Sequence, residues 1–143
     1  MNITINNYNM SNNVNYRGFM KRTPDLNVAI EKAGNYDLHK FSNVLKRMSK
    51  SNDNIAFEVK SSVDYDGRTE YFTKNVNLIA HSRYDIIHNV GTEKRSNAKD
   101  IVGTCYDKAL KNINHVLEEF YPESEKVNVP REQSLKEIDS LLS

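Results

Sequence analysis

"IAFEVKSSVDYDGRTEYFTKNVNLIA", residues 55–80, decides the fold. Ile55, Phe57, Val59 and then Ser61 fall to one side of an alternating run, with Ala56, Glu58 and Lys60 on the other. A period of two marks a strand with one buried face. The alternation breaks at Asp66-Gly67, and a glycine there tolerates the positive φ that tight hairpin turns require. The chain is therefore expected to return as a second strand, with Phe72, Val76, Leu78 and Ala80 on its apolar side. Tyr71, Thr73, Asn75, Asn77 and His81 on the other side leave that sheet face open.

Toward the C-terminus, "AHSRYDIIHNVG" supplies a turn at Ser82-Arg83 and a third strand from Tyr84 to Val90. Asp85 and Asn89 make it poorer in apolar residues, as suits a sheet edge. Ser96 or Asn97 then caps a long helix. Its stripe runs through Ala98, Ile101, Val102, Cys105, Ala109, Leu110, Ile113, Val116, Leu117 and Phe120 at helical spacing. Proline lacks an N–H donor and restricts the residue before it, so the helix stops at Tyr121-Pro122.

Toward the N-terminus, Thr23-Pro24-Asp25 joins a cap, a proline suited to the first helical position and an acid that complements the helix dipole. Leu26, Ala29, Ile30 and Ala33 stripe a short helix that Gly34 ends in a left-handed cap. A second helix, capped by Asn35 or Asp37, carries Leu38, Phe41, Val44, Leu45 and Met48 on its apolar side. His39, Asn43, Lys46, Arg47 and Lys50 share the opposite, cationic side.

The order of elements is an α+β fold: two N-terminal helices, a three-stranded antiparallel sheet, a long helix packed on one sheet face, and a short C-terminal helix. Residues 1–15 hold seven asparagines and read as a flexible arm, with a short edge strand expected around Val14 to Lys21. Residues 16–122 form the domain. Residues 123–143 are an acidic linker and a short amphipathic helix that begins near Pro130 and presents Leu135, Ile138, Leu141 and Leu142.

At 143 residues, with 38% hydrophobic and 27% charged composition, the chain is of ordinary globular make-up. A chain of this size buries about two-thirds of its unfolded surface without staples. One cysteine, Cys105, closes no internal disulfide, and a reducing, cytoplasmic setting is expected. No apolar run approaches a membrane span, so no membrane partner is expected. The net charge of +1 is unevenly spread. Residues 17–50 carry eight Lys or Arg against three acids, whereas 118–143 carry seven acids against three bases.

Lys94, Arg95 and Lys99 stand where the long helix is expected to begin, and a helix start adds N–H groups and a positive dipole end to such cations. Helix, three antiparallel strands and helix over residues 37–113, with cations at the last helix start, is similar to the double-stranded-RNA-binding domain. That resemblance implies phosphate contacts by Lys94, Arg95 and Lys99, to which Lys46 and Arg47 add a second basic surface. The hairpin "SSVDYDGRTEYF" and the pair Val102-Gly103 depart from the family's pattern, so topology is what is shared.

Signs of catalysis are sparse. Cys105 lies on the apolar stripe, where a thiol packs as a small hydrophobe. His81 and His88 flank one turn and would need two further ligands for zinc. Asp64, Asp66 and Glu70 crowd a hairpin tip, Asp100 and Asp107 lie seven apart, and there is no glycine-rich phosphate loop. No cofactor or metal is expected.

What remains is a non-enzymatic module that binds a protein partner through its sheet face, its edge strand or its C-terminal segment at Leu135, Ile138, Leu141 and Leu142. Eight tyrosines and no tryptophan supply hydrogen-bonding aromatic surface for such contacts. The asparagine-rich, motif-free character is similar to small accessory proteins of AT-rich bacteria and their phages, which implies partner binding in general terms. Nucleic acid is the alternative partner.

Overall fold

A computed structural model describes residues 18–122 and 130–142. The elements are β1 (Phe19–Met20), α1 (Pro24–Lys32), α2 (Asn35–Ser49), β2 (Ala56–Asp66), β3 (Tyr71–His81), β4 (Ile86–Arg95), α3 (Ala109–Phe120) and α4 (Arg131–Leu141). The class is α+β. The expected arm at 1–15 and the acidic linker at 123–129 lie outside the described residues.

The hairpin forms with the two expected apolar sides on one face, Phe57 opposite Ala80, Val59 opposite Leu78 and Ser61 opposite Val76. Its turn differs from expectation, because the residue with positive φ is Glu70 (61°) and Gly67 is not left-handed. The Asp66 carboxylate accepts from the Arg68 N–H at 2.9 Å, and the Asp66 carbonyl accepts from the Glu70 N–H at 2.7 Å. These two bonds hold a four-residue loop in place of a tight glycine turn.

The sheet has four strands, in the order β1-β2-β3-β4, rather than the three antiparallel strands expected. β1 pairs with β2 in parallel, placing Phe19 beside Ala56 and Met20 beside Phe57. Two residues are too few to show a period. The pairing is held by the Phe19 N–H on the Ile55 carbonyl at 3.0 Å and the Lys21 N–H on the Phe57 carbonyl at 2.8 Å.

α1 begins as its residues dictate: Thr23 is the cap, its Oγ1 accepts from the Leu26 N–H at 3.2 Å, and Pro24 opens the helix. Such a cap contributes about 1 kcal/mol. Gly34 is not the left-handed terminator expected of it; at φ −83° and ψ 174° it is the extended cap residue of α2. Neither Asn35 nor Asp37 caps that helix.

The principal departure lies in residues 90–108. β4 runs to Arg95, five residues past the expected end, and the long helix does not start at Ser96 or Asn97. Two single turns, Ala98–Asp100 and Thr104–Tyr106, intervene before α3 begins at Ala109. Gly103 in the middle of this stretch has φ 92°, which no right-handed helix accommodates.

Three layers result. Phe57, Val59, Val76, Leu78, Ala80 and Val90 of the sheet pack beneath Leu26 and Ala29 of α1, Leu38, Phe41, Val44, Leu45 and Met48 of α2, and Leu110, Ile113 and Leu117 of α3. α4 lies against α2, and Ile138, 1% exposed, joins the same core.

Candidate interaction edge

β4 borders β3 on one side, and no strand among the described residues pairs with its other side. Its second half is guarded. Val90 is the extra residue of a bulge, since Asn77 pairs with Asn89 while Val76 pairs with Gly91. The Asn112 amide donates to the Val90 carbonyl at 2.9 Å. Gly91 lies under the Cys105 carbonyl, which leaves no room for a Cβ at that position.

Glu93, 4% exposed, fixes the crossing loop over the same half. Its carboxylate accepts from the Val102 N–H at 2.8 Å, the Gly103 N–H at 2.9 Å and Arg95 Nε at 3.1 Å. Burial alone would push the Glu93 carboxyl up, but these donors bring it down to about 2. An anion so held belongs to the architecture of the loop. A second latch fastens the far end of this loop, where the Tyr106 hydroxyl and Ser61 Oγ both donate to the Asp25 carboxylate. The Lys74 ammonium lies 5.0 Å from the Tyr106 ring centre.

Among the described residues, the first half of β4 has no such guard. Ile86 is 46% exposed, Ile87 64%, and Tyr84, just before the strand, 72%. Ile87 stands opposite Ile79 on the open face, and Ile86 opposite Ala80 on the core face. Exposed side chains of this size at an unpaired edge are what natural sheets ordinarily avoid. Beside them the open face is polar: Asn89 donates to Asn75 at 3.2 Å and to Asn77 at 3.3 Å, and Thr92 donates to Asn75 at 2.9 Å.

The turn that delivers β4 to this position is fastened by His81. Its Nε2 lies 2.6 Å from the Glu58 carboxylate and its Nδ1 3.0 Å from Asp85, with Lys21 4.0 Å beyond Glu58. Burial disfavours the imidazolium, but the hydrogen bonds to Glu58 and Asp85 outweigh it and raise the His81 pKa. His88 sits opposite Leu78 on the core face, so the turn sends the two histidines to opposite sides of the sheet.

The cations expected at a helix start occupy other places. Lys94, exposed, stands opposite Thr73 on the open face, Arg95 is bound to Glu93, and Lys99 lies exposed in the first single turn. All three precede α3, whose first residue is Ala109, so they surround no helix start. Lys46 pairs with Glu137 of α4 at 2.8 Å, and Arg47 Nε donates to the Tyr121 carbonyl at 2.9 Å. The cationic side of α2 is thus largely engaged within the fold. Leu135, Leu141 and Leu142 are half-buried against the core beside Ile138.

Cys105 is buried, and burial raises its pKa. Among the described residues no group of three or more His, Cys, Asp or Glu side chains is placed to hold a metal ion. A depression of about 190 Å³ between α2 and α3 is lined by Tyr36, Asp37, Lys40, Asn114, His115 and Glu118, with Lys40 and Glu118 paired at 3.4 Å. No helix among the described residues is long and apolar enough to cross a membrane. No protein-family model, curated protein or solved structure matches this chain.

Proposed function

We propose that the protein is a non-enzymatic interaction module that receives an extended segment of a protein partner along the first half of β4, Ile86 to Asn89. The observation that carries this reading is the contrast within one strand. A bulge, a side-chain bond to Val90 and the loop held by Glu93 guard the second half, while Ile86 and Ile87 stand exposed on the first, with exposed Tyr84 just before it. Strand addition satisfies the unpaired backbone groups of an edge and lets alternate side chains set specificity. Ile87 and the asparagine group of the open face would read one side of the incoming segment, and Ile86 the other.

The C-terminal segment has less support as a docking element, because its apolar side already rests on α2. Nucleic-acid binding would rest on Lys94 and Lys99 without the dipole of a helix start, and is the weaker alternative.

A photo-crosslinking residue at position 87, compared with one at exposed Glu132 on α4, tests the reading in cells of the native host. Adducts to a protein at position 87 and none at 132 are expected. Equal capture at both positions, or capture at neither, would remove the proposal.

A further inference from the structure

We propose that the segment received by β4 is β4 of a second copy of this chain, paired antiparallel about a two-fold axis through Ile87; this rests on the strand-addition reading above. The inference follows from which registers the edge can adopt with itself. Residues directly opposite in an antiparallel pair project to the same face. In β4, Ile87 and Asn89 share the open face, Asp85 joins them through its contact with His81, and Ile86 and His88 share the core face. A two-fold normal to the sheet must therefore pass through a residue and not between two.

Three centres fall within the unguarded half. Centred on Ile86, the pairing sets Ile87 against the partner's Asp85, an isoleucine against a carboxylate. Centred on His88, it brings two histidines together and sets Ile87 against the partner's Asn89. Centred on Ile87, it sets Ile87 against the partner's Ile87, Ile86 against the partner's His88 and Asp85 against the partner's Asn89. This last register places no like charges opposite one another and buries Ile87, the most exposed isoleucine among the described residues, against its own copy.

The guards end the ladder where the register requires. Past Asn89 the bulge at Val90 breaks the pairing, and the Val90 carbonyl is already taken by Asn112. The pairing therefore spans Asp85 to Asn89 in each copy and joins the two four-stranded sheets into one continuous sheet. Five residues of strand are about 17 Å long. An interface of that extent lies at the small end of specific ones, the class of weak, transient association.

Sedimentation of the full-length protein from about 5 to 500 µM tests this directly, and a monomer–dimer transition within that range is expected. Ile87→Lys places two ammonium groups on the axis and should leave a monomer throughout; as Ile87 is largely exposed, the variant should retain the wild-type circular dichroism spectrum and urea midpoint. Single cysteines at 86, 87 and 88 check the register independently, with buried Cys105 as the unreactive background. Mild oxidation should cross-link I87C fastest. Faster cross-linking at 86 or 88, or a wild-type monomer at the highest concentration, overturns the proposal. A monomer whose position 87 still captures another protein removes the self-pairing and leaves strand addition standing; a monomer with no capture removes both.

Discussion

Replacing Glu93 by Gln is the sharpest probe of what holds residues 96–108 across β4. In the folded chain its carboxyl titrates at about 2, against an ordinary value of 4.5. A lowering of that size corresponds to about 3 kcal/mol at 1.36 kcal/mol per unit. The sign follows from the direction of the shift. A depressed folded pKa stabilises above the unfolded value, so the contribution is complete above pH 5 and drains away as pH falls toward 2. By the same linkage it amounts to about 1.5 kcal/mol at pH 3. Gln keeps the size of the side chain but offers one acceptor oxygen, and its NH₂ meets the N–H of Val102 or Gly103 donor to donor.

Urea unfolding of the wild type and E93Q should therefore differ by about 3 kcal/mol at pH 7 and by about half that at pH 3. Amide exchange at Val102 and Gly103 should accelerate in E93Q beyond what the global loss requires. A difference of under 1 kcal/mol at pH 7, or one that does not shrink on acidification, would refute the assignment of Glu93 as the anchor of this loop.

Two further outcomes are expected. His81 should titrate above 6.5 by NMR because Glu58 and Asp85 favour its charged form; a raised folded pKa stabilises below the unfolded value, so wild-type stability should fall as pH rises through the His81 transition, and H81N should flatten that slope. Ile138→Ala should cost about 2–4 kcal/mol in urea unfolding, because the side chain is fully enclosed between α4 and α2; a cost under 1 kcal/mol would mean that α4 is not part of the cooperative core.

The parts of the fold legible in the sequence are those in which local pattern and final environment coincide. Phe57, Val59, Val76, Leu78 and Ala80 alternate because one sheet face is covered, and Thr23-Pro24 starts a helix by chemistry confined to four residues. The stretch after β4 is different. Ala98, Ile101, Val102 and Cys105 repeat at helical steps, yet Val102 is exposed and only Cys105 of the four is buried. The apolar spacing there coincides with a helix stripe without being one. Gly103 carried the contrary signal, since a glycine inside a helix costs about 1 kcal/mol relative to alanine. What makes the loop stable is Glu93, ten residues from Gly103 in sequence, and its role is set by tertiary placement that no local window contains.

The candidate edge was half legible for the same reason. The polar residues Asp85 and Asn89 suit an edge, but Ile86 and Ile87, adjacent in sequence, must lie on opposite faces of a strand, and one of them cannot reach a core covered on one side only. That Ile87 faces the open side is decided by the register of β4 on β3, which the Asp85–His81–Glu58 contacts fasten at the turn. The bulge at Val90 then reverses the alternation, so that Val90 and Glu93, three apart and of opposite face in a regular strand, both point into the core. One extra residue thus puts the Glu93 carboxylate under the loop and limits the unguarded edge to the isoleucine half. The anchor and the docking strand are consequences of the same bulge, and a change that removes it should disturb both together.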